Sequence, residues 1–99
     1  MKMIFISYMQ SNDDDIMHIF KDLKIRSYTK WPDVLDKFDM SRLRLGADII
    51  GPGSNSVIMI SLDNEKSTTL MSKIKDLNET IKIGKNKAFV LPLEDTLEC

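Results

Sequence analysis

The sequence contains very few of the residues that build disulfides, metal centres or nucleophilic active sites. It has one cysteine, Cys99, and one histidine, His18, in 99 residues. A lone cysteine cannot form an internal disulfide, and this pair cannot supply the several converging donors of a zinc site. Neither a Gly-x-Ser-x-Gly motif nor a Gly-x-x-x-x-Gly-Lys phosphate loop is present. The residues therefore indicate no catalytic site and no metal site.

The chain also has no excess of charge of either sign and no long apolar run. Its 14 basic and 15 acidic residues give a net charge of −1, which offers no bulk attraction to nucleic acid or to an anionic membrane. The apolar run at residues 3–8 is too short for a signal peptide or a spanning helix. We expect a cytoplasmic protein without membrane insertion, folded as one domain over residues 1–99.

Apolar periodicity predicts four strands and two helices. The strands are expected at residues 2–9, 27–31, 56–62 and 87–93. Helix one should follow Ser11 or Asn12, with three aspartates solvated in its first turn. Helix two should follow Asp63 or Asn64, with its apolar stripe formed by Leu70, Ile74, Leu77 and Ile81. The order βαββαβ predicts an α+β, ferredoxin-like sandwich with both helices on one face of an antiparallel sheet.

Strands one, three and four are apolar on both of their faces. In this architecture the face without helices would expose roughly 300 Å² of sheet, from strands about 4.8 Å apart and about 17 Å long. Soluble domains seldom leave such a patch uncovered. We therefore expect identical subunits to cover it. Either Ile58 or Met59 should point into that interface, and the sequence does not decide which.

A long segment without clean periodicity, residues 32–55, separates the second and third strands. Connections beyond roughly 12 to 15 residues are uncommon in compact domains unless they are functional or disordered. This one is rich in aliphatic residues and also carries an aromatic residue and arginines, unlike a disordered linker. We expect it to contact a partner protein, with the contacts made by Phe38, Met40, Arg42, Leu43 and Arg44.

The last third of the chain contains the run Lys-Ile-Gly-Lys-Asn-Lys-Ala-Phe-Val-Leu-Pro-Leu-Glu-Asp at residues 82–95. This run, together with the element order, resembles the PII signal-transduction proteins, the nitrogen regulators, and more distantly the CutA proteins. The resemblance implies a non-enzymatic homotrimer whose sheets face inward. It makes residues 32–55 the counterpart of the family's T-loop, which contacts a regulated enzyme, transporter or channel. Adenine nucleotides and 2-oxoglutarate bind between subunits of the family and change that loop.

The resemblance also implies a set of ligand-binding residues. Thr29 matches the family's threonine near the adenine, while Gly84 and Lys87 match a glycine and a lysine that approach phosphates. At the loop base, Leu35-Asp36-Lys37-Phe38 replaces the family's Gly-Phe-Gly-Arg, and Lys37 is the fourth candidate ligand residue. The family's two C-terminal arginines have no counterparts here, so weak ATP binding is expected. The nature of the small anionic ligand and of any cofactor is left open.

Two other functions remain alternatives at this point. One is a CutA-like, metal-responsive protein beside a metal transporter, in which Asp48, His18 or Cys99 would act as ligands. The other is a small enzyme on the same fold, because ferredoxin-like sheets also carry catalysts. Neither tyrosine lies in the 32–55 segment, so the sequence does not support regulation by uridylylation of a loop tyrosine.

Overall fold

The structure, a computed structural model, describes residues 1–34, 55–81 and 86–97. Within those ranges the elements follow the expected order, with a short 3-10 turn at Gln10–Asn12 before the first helix. They are β1 (Lys2–Met9), α1 (Asp13–Asp22), β2 (Thr29–Val34), β3 (Asn55–Leu62), α2 (Asn64–Asn78) and β4 (Lys87–Pro92). The predicted α+β, ferredoxin-like βαββαβ architecture is confirmed.

The four strands form one antiparallel sheet in the order β2-β3-β1-β4. The central strand β1 places Phe5 opposite Met59 of β3 on one side and opposite Phe89 of β4 on the other. Strand β4 is an edge strand and therefore tolerates Pro92, which lacks the N–H that an inner strand would need. Val34 and Asn55, which flank residues 35–54, lie opposite each other in adjacent strands.

The core lies between the sheet and the two helices. Alternate residues of β1 and β3 point toward the helices and are buried, because side chains of a strand alternate between its two faces. Apolar stripes of α1 and α2 meet them at spacings of three and four. The most deeply buried members are Ile4, Ile6, Ile16, Phe20, Ile58, Leu70 and Ile74.

The helix ends agree only partly with the predictions. Asp63 caps α2, accepting a hydrogen bond of 2.7 Å from the backbone N–H of Lys66. Asn12 precedes α1 as expected, but its side chain does not cap the helix. Helix α2 ends at Asn78, so Ile81 lies beyond it and does not extend the apolar stripe.

The prediction that the second strand runs over residues 27–31 and ends at Pro32 is wrong. Strand β2 begins at Thr29 and continues to Val34. Trp31 pairs with Val57 and Val34 with Asn55, so β2 holds one extra residue, a bulge. Asp33 takes a φ of 57°, which aspartate tolerates better than most residues. Pro32 fits here because β2 is an edge strand.

Neither helix in the described ranges has the length and apolar character needed to cross a membrane.

Candidate functional site

The sheet face opposite the helices, which we call the open face, is built largely from apolar side chains. The cross-strand register places Thr29, Met59, Phe5 and Phe89 in one row across it. Adjacent rows add Trp31, Val57, Met3 and Leu91. The exposed fractions of Phe89, Leu91 and Trp31 are 57%, 48% and 44%. Large apolar residues grouped in this way usually mark an interaction surface.

The register also decides which residue of β3 faces which side. Ile58 is fully buried under the helices, whereas Met59, the next residue, lies on the open face and is only partly buried. The sequence left this choice undetermined because both faces of the strand are apolar. Any subunit that covers the open face would therefore contact Met59, whereas Ile58 belongs to the core.

Two of the predicted ligand residues, Thr29 and Lys87, lie on the open face but on opposite edge strands. Thr29 is in β2 and Lys87 in β4, and two other strands separate them. With strands about 4.8 Å apart, the two positions are about 14 Å or more from each other. One chain therefore does not bring Thr29 and Lys87 into a common site.

Thr29 borders a shallow cavity of about 490 Å³ at the end of β2 and β3. Its lining residues include Met3, Met59 and three residues that carry hydroxyl groups, Ser27, Thr29 and Ser61. Small-molecule sites commonly have volumes of about 300 to 1,000 Å³ and combine apolar walls with a few polar groups. The size and lining of this cavity suit a small ligand.

The remaining predicted site residues lie outside the described residues. These are Lys37, Gly84, Phe38, Met40, Arg42, Leu43 and Arg44.

A polar cluster ties the start of α1 to the sheet on the helix side. The Lys30 Nζ and the Tyr8 hydroxyl each donate a hydrogen bond of 2.6 Å to Oδ1 of Asp13. The Lys30 ammonium also lies 6.0 Å from the centre of the Tyr8 ring. Asp13 is therefore an anchor, whereas Asp14 and Asp15 are more open to solvent, as expected for a solvated helix start.

These contacts shift the pKa values of both acidic groups. Burial, reinforced by the Asp13 carboxylate, raises the pKa of the Tyr8 hydroxyl far above its ordinary value, so it stays a proton donor. Burial pushes the pKa of Asp13 upward, but the hydrogen bonds from Lys30 and Tyr8 outweigh it and hold that pKa below its ordinary value. The Asp13 carboxyl group is thus ionised at neutral pH.

A second polar cluster is built around Asn86, which is 5% exposed. Its backbone N–H donates to Oδ1 of Asn78 at 2.9 Å, and the Asn78 amide donates back to the Asn86 carbonyl at 2.9 Å. The Asn12 amide donates to Asn86 Oδ1 at 3.2 Å. Lys24 and Asp33 are the non-glycine residues with positive φ in the described ranges, and Asn86 is not among them.

Asn55 begins β3 on the open-face side and is 2% exposed. Its Nδ2 has no hydrogen-bond partner among the described residues. An unsatisfied buried donor of this kind costs about 1 to 3 kcal/mol. Among residues 1–34, 55–81 and 86–97, the Asn55 amide therefore has an unpaired donor at the start of β3.

Sequence reasoning missed Asp13, Lys30 and Asn78 because their partners lie on other elements. In the sequence, three consecutive aspartates are typical of the first turn of a helix. Only the fold shows that the first of them, Asp13, contacts Lys30, which lies 17 residues away. The sequence contains part of this information, because side chains alternate between the two faces of strand β2 and this alternation places Lys30 on the helix side.

The described ranges contain no group of three or more histidine, cysteine, aspartate or glutamate side chains that could hold a metal ion.

Comparison with known proteins gives matches only at the level of structure. No family model matches the sequence, and no match was found among curated proteins. Structures of CPII, a nitrogen regulatory PII-like protein from Thiomonas intermedia K12, resemble this chain in fold. The form bound to ADP, AMP and acetate has a TM-score of 0.67 and 13% identity, covering 90% of this chain and 81% of CPII.

Two further structures have the same architecture. CPII bound to ADP, AMP and bicarbonate matches with a TM-score of 0.65 and 11% identity, covering 97% of this chain and 94% of CPII. A putative PII-like signaling protein from Thermus thermophilus matches with a TM-score of 0.62 and 17% identity, over 91% and 83% of the two chains. The structural resemblance predicted from the element order is confirmed: this chain has the fold of the PII-like proteins.

Proposed function

We propose that this chain is a single-domain, cytoplasmic, PII-like signalling protein. In this proposal it is a homotrimer that senses a small anionic ligand and contacts a regulated protein through residues 32–55. It acts by binding and not by catalysis. The fold it shares with CPII and with the Thermus protein supports the general class.

The open face is the single observation that carries the trimer. Burying about 300 Å² of apolar surface at about 25 cal/mol per Å² stabilises each subunit by about 7.5 kcal/mol before the entropy of association is subtracted. This is comparable with the whole stability of a small domain. Phe89, Leu91 and Trp31 are exposed large apolar residues of that face, and each would be covered by an inward-facing arrangement.

The positions of Thr29 and Lys87 support a ligand site between subunits. They lie at opposite edges of one sheet, and in a closed ring the β2 edge of one subunit meets the β4 edge of the next. Thr29 of one subunit would then line the cavity of about 490 Å³ while Lys87 of the other supplies positive charge. We include Lys37 and Gly84 in this proposed site on the family resemblance. CPII has been solved with ADP, AMP, acetate and bicarbonate, which makes these compounds the first ligands to test.

Ligand binding is tested by thermal shift and titration calorimetry on the purified protein. The panel comprises ATP, ADP, AMP, bicarbonate, acetate, 2-oxoglutarate and divalent metals. A ligand at 100 times its Kd should add about 2.7 kcal/mol of stability. Lys87→Ala should weaken an anionic ligand by about 1.5 to 3 kcal/mol, the value for a charge-assisted hydrogen bond, whereas Lys73→Ala, on the exposed side of α2, should not. ATP should bind weakly, and a response to metals alone would instead favour the metal-responsive function.

Partner binding through the 32–55 segment is tested by shortening it. Because Val34 and Asn55 are direct cross-strand neighbours, a two-residue Asn-Gly turn can replace residues 35–54 without moving either strand. The trimer should persist and lose its partner. A full-length quintuple variant with alanine at Phe38, Met40, Arg42, Leu43 and Arg44 should lose the partner equally. Collapse of the shortened trimer would show that the segment is structural and would contradict this part of the proposal.

A further inference from the structure

A basic cavity lies at the corner between α1 and β2, on the helix side of the sheet. Its volume is about 460 Å³, and its lining includes Lys21, Lys24, Arg26, Phe20 and Tyr28. The three cations are exposed, and within residues 1–34, 55–81 and 86–97 none of them forms an ion pair. Phe20 and Tyr28 meet edge to face with ring centroids 5.3 Å apart and give the cavity an aromatic wall.

The backbone holds one of these cations in an unusual conformation. Lys24 follows the end of α1 with a φ of 58°. The Ile25 N–H donates to the Phe20 carbonyl at 2.9 Å and the Lys24 N–H donates to the Lys21 carbonyl at 3.1 Å, which is the Schellman pattern. Glycine is the residue that normally occupies this position. The positive φ at this position therefore disfavours lysine relative to glycine. Lysine differs from glycine in carrying a positive charge, which glycine could not supply.

The chain also carries a segment complementary to this cavity. After β4, residues 94–97 read Glu-Asp-Thr-Leu and are all exposed, with Leu97 100% exposed. A hydrogen bond of 3.3 Å from the Leu93 N–H to the Met1 carbonyl fixes where this tail leaves the sheet. Two carboxylates and a leucine match a cavity with three cations and an aromatic wall.

The topology places the tail and the cavity at the same end of the sheet but at opposite edges. Pro92 pairs with Lys2, which pairs with Leu62, and Thr29 pairs with Met59 near that same end of β3. The β4 and β2 edges are about 14 Å apart. Rotation about a ring axis brings the β4 edge of one subunit to the β2 edge of its neighbour, which is a heterologous contact that can close.

We propose that the acidic tail, residues 94–97, docks into the basic α1–β2 cavity of the neighbouring subunit. Glu94 and Asp95 pair with the cations at Lys21, Lys24 and Arg26, and Leu97 packs against Tyr28. The inference rests on the proposed trimer and adds to it a second, electrostatic contact outside the apolar open face. It predicts that the trimer, although it has an apolar centre, loosens as salt concentration rises.

Disulfide trapping tests the contact directly. In a Cys99→Ser background, Leu97→Cys is combined with Tyr28→Cys, and the protein is oxidised at micromolar concentration. We expect covalent dimers and trimers on a denaturing gel. The control pair, Leu97→Cys with Glu79→Cys at the exposed end of α2, should stay uncrosslinked. Light scattering of the unmodified protein is measured in parallel.

The outcomes separate the tail contact from the trimer itself. A trimer in which the two introduced cysteines do not crosslink overturns the tail contact and leaves the proposed function standing. An intrachain crosslink, which shows as a monomer of altered mobility, overturns the choice of a neighbouring copy. A monomeric protein overturns both proposals.

Charge exchange provides a second test that does not depend on cysteine chemistry. Asp95→Lys alone and Lys24→Glu alone should each raise the dissociation constant of the trimer, by about fivefold for an exposed pair, and the double variant should recover most of the loss. Lys24→Gly removes the charge while suiting the backbone, so it should weaken the trimer without lowering the melting temperature of the monomer unit. Equal effects of the single and double variants would refute the pairing.

Discussion

Replacing Met59 with aspartate places a charge at the centre of the open face and nowhere else. Met59 lies between Thr29 and Phe5 in the row that crosses all four strands. It is only partly buried in one chain, so the charge can stay hydrated in a monomer. In an inward-facing trimer the same carboxylate would be enclosed by apolar surface from two neighbours.

The expected size of the effect follows from the two opposing free energies. Covering the open face gives about 7.5 kcal/mol per subunit at about 25 cal/mol per Å². Burying one ion costs several kcal/mol even after the protein relaxes. A symmetric trimer would bury three aspartates near one another, so desolvation and repulsion together approach the apolar gain. We expect Met59→Asp to be monomeric at micromolar concentration.

Light scattering and circular dichroism together measure this outcome, and two variants serve as controls. Ser72→Asp adds the same charge on the exposed side of α2 and should leave the trimer and the melting temperature unchanged. Ile58→Asp changes the adjacent residue but puts the charge into the core, where Ile58 is 0% exposed, and it should unfold the chain. A Met59→Asp protein that stays trimeric at the wild-type melting temperature would refute the claim that the open face forms the interface.

Three further predictions concern the two polar clusters. Asp13→Asn should lower the free energy of unfolding at pH 6 by about 1.5 to 3 kcal/mol, since it removes the charged acceptor of the hydrogen bonds from Lys30 and Tyr8. Urea titrations measure this difference. A loss below about 0.5 kcal/mol, the lower end for any hydrogen bond, would contradict the prediction. The folded pKa of Asp13 lies below its ordinary value, so the stability that Asp13 gives the fold is complete above that ordinary value and is lost as the pH falls through the folded pKa. The wild type should therefore lose stability below about pH 4 more steeply than Asp13→Asn. Acid titrations in which the two proteins lose stability in parallel would disprove this. Asn78→Ala should cost about 1 to 3 kcal/mol by leaving buried Asn86 groups unpaired, whereas the exposed control Asn64→Ala should have a smaller effect in thermal melts.

The sequence predicted best those elements in which the local spacing of apolar and capping residues matches their burial and contacts in the fold. Strand β1 has its predicted bounds, and the spacing of Leu70 and Ile74 identified the buried side of α2. Asp63 was recognisable as a cap because capping is a contact within four residues. The exposed apolar face was also predictable, since it follows from alternation in strands whose topology was correctly expected.

The features that sequence reasoning missed depend on tertiary contacts. Proline usually ends a strand, but β2 lies at the sheet edge, where a bulge at Asp33 lets the chain continue to Val34. The roles of Asp13 and Asn86 need partners from distant elements, so no local pattern reveals them. Thr29 and Lys87 were grouped by family resemblance, and only the strand order shows that they occupy opposite edges of one chain.

The opposite-edge arrangement links the three proposals through one geometric requirement. The Thr29 cavity, the basic corner at Arg26 and Tyr28, and β2 itself lie along one edge, while Lys87 and the acidic tail lie along the other. The interface of a two-fold dimer uses the same patch on both subunits. Such a dimer would therefore join β2 to β2 or β4 to β4, or would bury only the two open faces against each other. A closed ring instead joins unlike edges at every interface. Ligand site, tail contact and apolar centre are therefore compatible in a cyclic trimer, where each interface receives one Thr29, one Lys87 and one tail.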